Sequence, residues 1–64
     1  MRYEVKLEDG SAETIDQVDG YAPDGTLTTF FTVEPGRAVR LDPWAVRVLS
    51  MRTDRIVRIA RIAA

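Results

Sequence analysis

Glycine and proline break this chain at short intervals. Asp9-Gly10, Asp19-Gly20, Pro23-Asp24-Gly25, Glu34-Pro35-Gly36 and Asp42-Pro43 all fall within the first 43 residues. Glycine supplies positive φ and proline presets φ near −65°, so each cluster marks a turn. The segments between them are strand-sized. Residues 2–8 alternate polar Arg2, Glu4, Lys6 and Glu8 with apolar Tyr3, Val5 and Leu7. A period of two places the apolar set on one face of a strand. Asp9-Gly10 then predicts a tight hairpin turn, with a return strand over Ala12–Val18 in which Ile15 points inward. The alternation of that return strand is imperfect, which fits a bulge or an edge position.

Residues 19–25 read as a loop ending in a turn. Thr26–Val33 follows, rich in threonine and phenylalanine, which favour strands. Leu27, Phe31 and Val33 share one face there and Phe30 takes the other. An aromatic on each face predicts either cover on both sides or a phenylalanine offered to a partner. Pro35-Gly36 fits a type II turn, and Ala38–Leu41 is long enough to pair back onto Thr26–Val33. After Asp42-Pro43, Trp44–Met51 reads as strand, with Val46 and Val48 opposite Arg47, Leu49 and Met51. The tail from Arg52 is two-sided. Arginines at 52, 55, 58 and 61 and isoleucines at 56, 59 and 62 recur every third residue, which a helix capped by Asp54 could use. The β-branched Ile56, Val57, Ile59 and Ile62 favour strand instead.

These segments predict one all-β domain over residues 1–64. The expected form is a small five- to six-stranded barrel of SH3-like or Sm-like type, its C-terminal segment a strand or a short helix. Closing the barrel would remove exposed edges. The run Tyr3-Glu-Val-Lys-Leu-Glu-Asp-Gly10, the Thr26–Val33 strand with two phenylalanines, and the proline turn before a valine-rich strand together resemble short uncharacterised actinobacterial and phage proteins. Those proteins are similar to SH3-like barrels. The resemblance implies a fold and carries no activity with it.

Composition narrows the chemistry. The 64 residues include neither cysteine nor histidine. Cysteine–histidine and serine–histidine nucleophile sites therefore cannot be built from this chain alone, and zinc lacks its usual ligands. Ser11 and Ser50 have no neighbouring base, and Lys6 is the one lysine. Asp16, Asp19 and Asp24 do not follow a calcium-loop spacing, and the four glycines sit in separate turns rather than in a phosphate-binding loop. The expectation is a non-enzyme with no cofactor and no metal. The apolar runs are too short for a membrane helix, and Met1–Val5 has no signal-peptide character, so the expected location is cytoplasmic.

Charge is divided sharply along the chain. Residues 1–36 hold two basic and eight acidic side chains, a balance of −6. Residues 37–64 hold seven arginines and two aspartates, a balance of +5. A domain this small buries only about 60% of its unfolded surface, and a partner or a second copy would add to that. A homo-oligomeric protein-interaction module is thus the leading expectation. Phe30, Trp44, Ile56, Ile59 and Ile62 would be its anchors, with Arg55, Arg58 and Arg61 setting register. A lone tryptophan after a turn is most often a core plug, and Trp44 serves as an anchor only where it is not. A second expectation is nucleic-acid binding through Arg47, Arg52, Arg55, Arg58 and Arg61, since guanidinium pairs with phosphate. A third is an acidic, DNA-mimicking face on the first half. The bland alternative is that the charges pair within the chain and keep it soluble.

Overall fold

A computed structural model describes residues 1–62. They form β1 (Arg2–Leu7), β2 (Ala12–Ile15), β3 (Gly20–Asp24), β4 (Leu27–Thr32), β5 (Val46–Arg52), a 3-10 turn over Thr53–Arg55, and β6 (Ile56–Ile62). The strands make two antiparallel sheets, ordered β2-β1-β6 and β3-β4-β5. The expectation of an all-β chain of five or six strands is met, with six strands. No ladder joins the two sheets among the described residues, so a closed barrel is not found.

The first hairpin forms as its turn chemistry predicts. Gly10 takes φ 87°, and its N–H donates to the Leu7 carbonyl at 3.0 Å. The Asp9 carboxylate accepts from the Ser11 N–H at 2.9 Å and from its hydroxyl at 2.6 Å, which fixes the corner. The register Tyr3↔Ile15 turns Tyr3, Val5 and Ile15 to one face, where all three are buried. The return strand is shorter than expected: Gln17 adopts φ 59° just after it, and Val18 is buried from outside the strand.

β6 lies on the other side of β1. Lys6 pairs with Arg58 but Leu7 pairs with Ile56, leaving Val57 as an extra residue. Such a bulge resets the alternation. Ile56 and Ile59, which strict alternation would separate, therefore both pack on the core, and Val57 is thrown outward at 68% exposure. The bulge accounts for the period of three that made the tail look helical; the tail is strand.

Two expectations about the middle of the chain are corrected. Residues 20–24 were expected to be loop and form β3. Its Pro23 lacks an N–H, which an edge strand tolerates, and Gly25 (φ 66°) turns the chain into β4. Residues 38–41 were expected to pair with β4 and instead belong to the turn-rich connection from Val33 to Ala45. Their place beside β4 is taken by β5. The connection satisfies itself locally: Arg37 N–H bonds the Glu34 carbonyl, and the Asp42 carboxylate accepts from the N–H groups of Trp44 (2.9 Å) and Ala45 (3.0 Å).

Among the described residues, β4 is the one strand covered on both faces. Phe30 joins Tyr3, Val5, Ile15 and Val18 in the core, with Leu7, Met51, Ile56 and Ile59 around it. Its ring centroid lies 5.9 Å from Tyr3 and 5.5 Å from Tyr21. Phe31 is buried on the opposite face. Gly20 fits closely there: a Cβ would stand 3.0 Å from Val39 Cγ1 and 3.4 Å from Phe31 Cζ, so the Val39 side chain would have to shift.

Candidate interaction surface

β5 contrasts with every other long strand. Six of its seven residues are exposed and the seventh, Met51, is half-buried. Val46, Val48 and Leu49 are large apolar side chains on this strand, and Val39 and Trp44 extend the apolar surface into the preceding connection. Trp44 is 64% exposed and packs only loosely under the Arg37 guanidinium, 5.2 Å from the ring centroid. It is not a core plug. β5 is also an edge: among the described residues it pairs with β4 on one side and with no strand on the other.

Beside this edge the two sheets part in an open depression of about 300 Å³. Leu7, Leu49 and Met51 give it an apolar floor, and Glu13, Arg52 and Arg55 stand around it. Ser50 also borders it. The Ser50 hydroxyl is engaged elsewhere, 2.7 Å from that of the buried Thr29. The Thr29 hydroxyl in turn reaches Asp24 at 3.2 Å, and Arg47 Nε donates to the same carboxylate at 3.1 Å. This network ties β3, β4 and β5 together on the sheet face away from Phe30. Its bonds, that from Arg47 foremost and then that from Thr29, hold the Asp24 carboxyl below its usual range. The Ser11 bonds do the same for Asp9, and the Arg2 contact does so for Asp16.

The anticipated site residues scatter. Phe30 is fully buried, so it is a core residue and offers no surface to a partner. Ile56 and Ile59 face the core, while Ile62 is half-buried opposite Arg2. Arg47 pairs with Asp24, Arg52 with Asp54 at 2.8 Å, and Arg55 with Asp9 at 4.0 Å. Among the described residues Arg58 and Arg61 take no carboxylate partner. Arg58 lies opposite Lys6 and Arg61 opposite Tyr3, which alternation sends to opposite faces of the sheet. The five arginines therefore do not line one stripe. The acidic half is equally dispersed: Asp16 meets Arg2, Asp19 accepts the Val33 N–H at 2.7 Å, and Asp24 meets Arg47.

Val46, Val48 and Leu49 were not foreseen as surface. The valines' alternation with arginine imitates a strand with a buried face, but here no packed core covers that face. Compared with protein-family models, with curated proteins and with solved structures, the chain matches none.

Proposed function

We propose that this chain is a non-enzymatic protein-interaction module that associates with copies of itself, using β5 and the Trp44 connection as its contact surface. The observation that carries this reading is the exposed apolar row Val46, Val48 and Leu49 on an unpaired edge strand. Natural proteins guard such edges because they template pairing with another chain. The surface total agrees. The chain exposes 4603 Å², whereas a compact monomer of this mass exposes about 4,100 Å². We read the two sheets as an incompletely closed barrel of SH3-like type, a shape in which one open side serves recognition.

Sedimentation equilibrium from low to high micromolar concentration tests the proposal. A dimer or larger species that persists in high salt is the expected result, because the contact is apolar. A monomer throughout that range, in low and high salt alike, removes it.

Nucleic-acid binding is the second reading, and the cross-strand pair Lys6–Arg58 favours it. Like charges set directly opposite repel, and an anion would relieve them. Binding of DNA or RNA at 50 mM salt, weakening linearly on log–log axes as salt rises, would support it. No mobility shift at that salt would end it.

A further inference from the structure

We propose that β5 pairs antiparallel with β5 of a second copy about a two-fold axis at Ser50, joining two β3-β4-β5 sheets into one six-stranded sheet. This rests on the self-association reading above and specifies its contact.

The hydrogen-bond phase of β5 fixes which groups are free. Thr53 N–H donates to the Thr26 carbonyl at 3.0 Å, while Leu27 and Arg52 are the adjacent partners. Antiparallel partners alternate between bonded and non-bonded pairs. Leu27/Arg52 is thus non-bonded, Thr28/Met51 and Phe30/Leu49 are bonded, and Thr29/Ser50 is non-bonded. The backbone groups of Ser50 and Arg52 consequently point away from β4, to the open side. Ser50 borders the depression with this backbone, since its hydroxyl is held by Thr29 on the other face.

A two-fold axis perpendicular to a sheet keeps each face on its own side, so one residue must face its own copy across the axis. With Ser50 there, the two Ser50 residues exchange N–H···O=C bonds in both directions. Leu49 then lies opposite Met51 of the copy, twice over. An axis at Arg52 would oppose two guanidiniums, which repel. An axis at Met51 would set Leu49 against Thr53 of the copy and lose the apolar pair. Val48 is the extra residue where the register shifts between Phe30/Leu49 and Phe31/Arg47. Regular pairing is therefore confined to the stretch after it, which is the stretch centred on Ser50.

The depression is incomplete without the copy. Leu49 and Met51 form its floor with Leu7, and a neighbouring β5 lays a second Met51 and Leu49 alongside them. The other edges do not invite this. β2 has only four residues and β3 carries Pro23, while β6, bulged and arginine-bearing like β5, turns Ile56 and Ile59 into the core and exposes only Val57 among its large apolar side chains. β5 has neither proline nor lysine. A stable contact covers about 800 Å² on each partner, and Val46 and Trp44 extend the strand's contribution toward that figure.

The chain has no cysteine, so single-cysteine variants read the contact directly. Ser50→Cys is expected to yield a disulfide-linked dimer as the main species under mild oxidation. Because Ser50→Cys also loses the Thr29 contact, a second pair is needed. Leu49→Cys mixed with Met51→Cys is expected to cross-link in the mixture far more than either does alone. Val57→Cys, on the β6 edge, is expected to remain unlinked. In the parent chain, amide exchange at Ser50 is expected to slow as concentration rises. A sedimenting dimer that cross-links through Val57→Cys and not through the β5 variants overturns this arrangement and leaves self-association standing. A monomer at every concentration overturns both.

Discussion

β5 and β6 are two seven-residue edge strands joined by one 3-10 turn, each with a bulge, and they treat their side chains in opposite ways. β6 uses its bulge to put both Ile56 and Ile59 on the core and leaves its arginines outside. β5 contributes a half-buried Met51 to the core and exposes Val46, Val48 and Leu49. Length, turn and bulge are shared, so none of them explains the difference. What differs is what faces the inward side of each strand itself. β6 lies beside β1, whose Tyr3 and Val5 face a filled core. β5 lies beside β4 at the place where the sheets part, so its inward residues meet an open depression. β6 is completed within the chain, whereas β5 keeps an open edge and an open inward side.

The largest effect should come from the residue both sheets rest on. Phe30→Ala removes a side chain with no exposure at the centre of the core, and buried Phe→Ala changes cost about 3–5 kcal/mol. In a domain of this size that is a large part of the total stability, so the variant is expected to lose its cooperative urea transition. If Phe30 were an interface anchor instead, the fold would survive and only association would fall.

Next in size is the direct contrast between the strands. Ile59→Ala is expected to cost about 2 kcal/mol in denaturant unfolding, near the low end for an isoleucine because the site is only partly buried. Val48→Ala, measured at a concentration where the chain is monomeric, should fall within about 0.5 kcal/mol of the parent. Equal costs at the two positions would mean that β5 is packed as well as β6, and the comparison would fail.

The sequence carries half of this contrast. Asp9-Gly10 and Pro23-Asp24-Gly25 announce real turns, because positive φ at Gly10 and Gly25 is a local demand. The two-faced burial of Phe30 and Phe31 is likewise readable from their adjacency in a strand. Bulges are another matter. Val48 and Val57 look like ordinary alternating positions, and nothing local says that each is an extra residue against its neighbour. Pro23 conceals β3 because proline normally argues against a strand, and only an edge position excuses it. The candidate surface is hidden for a similar reason: whether valines beside arginines face a core or water depends on which strand lies next to them.

Acid should separate the two strands by a different route. Asp9, Asp16 and Asp24 all have lowered carboxyl pKa values, through bonds from Ser11, from Arg2 and from Arg47, respectively. The folded state therefore holds its protons less tightly than the unfolded chain. The stabilisation is fully present above the ordinary carboxyl value of 3.8 and is lost as pH falls through the lowered folded values. Asp24 alone of the three ties β5, through Arg47. Asp24→Asn is expected to be less stable near neutral pH and to lose less further stability on acidification than the parent. Acid titration of the urea midpoint checks this, and parallel curves for parent and variant would dissociate Asp24 from β5.

The smallest effect on stability is expected at Trp44, and its smallness is what makes it informative. The ring is mostly exposed and its contact with Arg37 is a cation–π pair at the surface, worth about 0.5–1 kcal/mol. Trp44→Ala should therefore shift the denaturant midpoint of the monomer only slightly. Tryptophan is nonetheless enriched, with tyrosine and arginine, at the energetic centre of contacts, and here it continues the apolar surface of β5. If that surface is the contact, removing the ring weakens the dimer by at least tenfold in Kd while leaving the far-ultraviolet spectrum unchanged. A core tryptophan would behave the opposite way, with a large loss of stability and no separate effect on association. The single tryptophan also supplies its own readout. Its emission in the parent chain should move to shorter wavelength as concentration rises through the dimerisation range, because water leaves the ring. Emission that stays at the solvent-exposed wavelength at every concentration where the dimer forms would place Trp44 outside the contact and leave β5 to hold it alone.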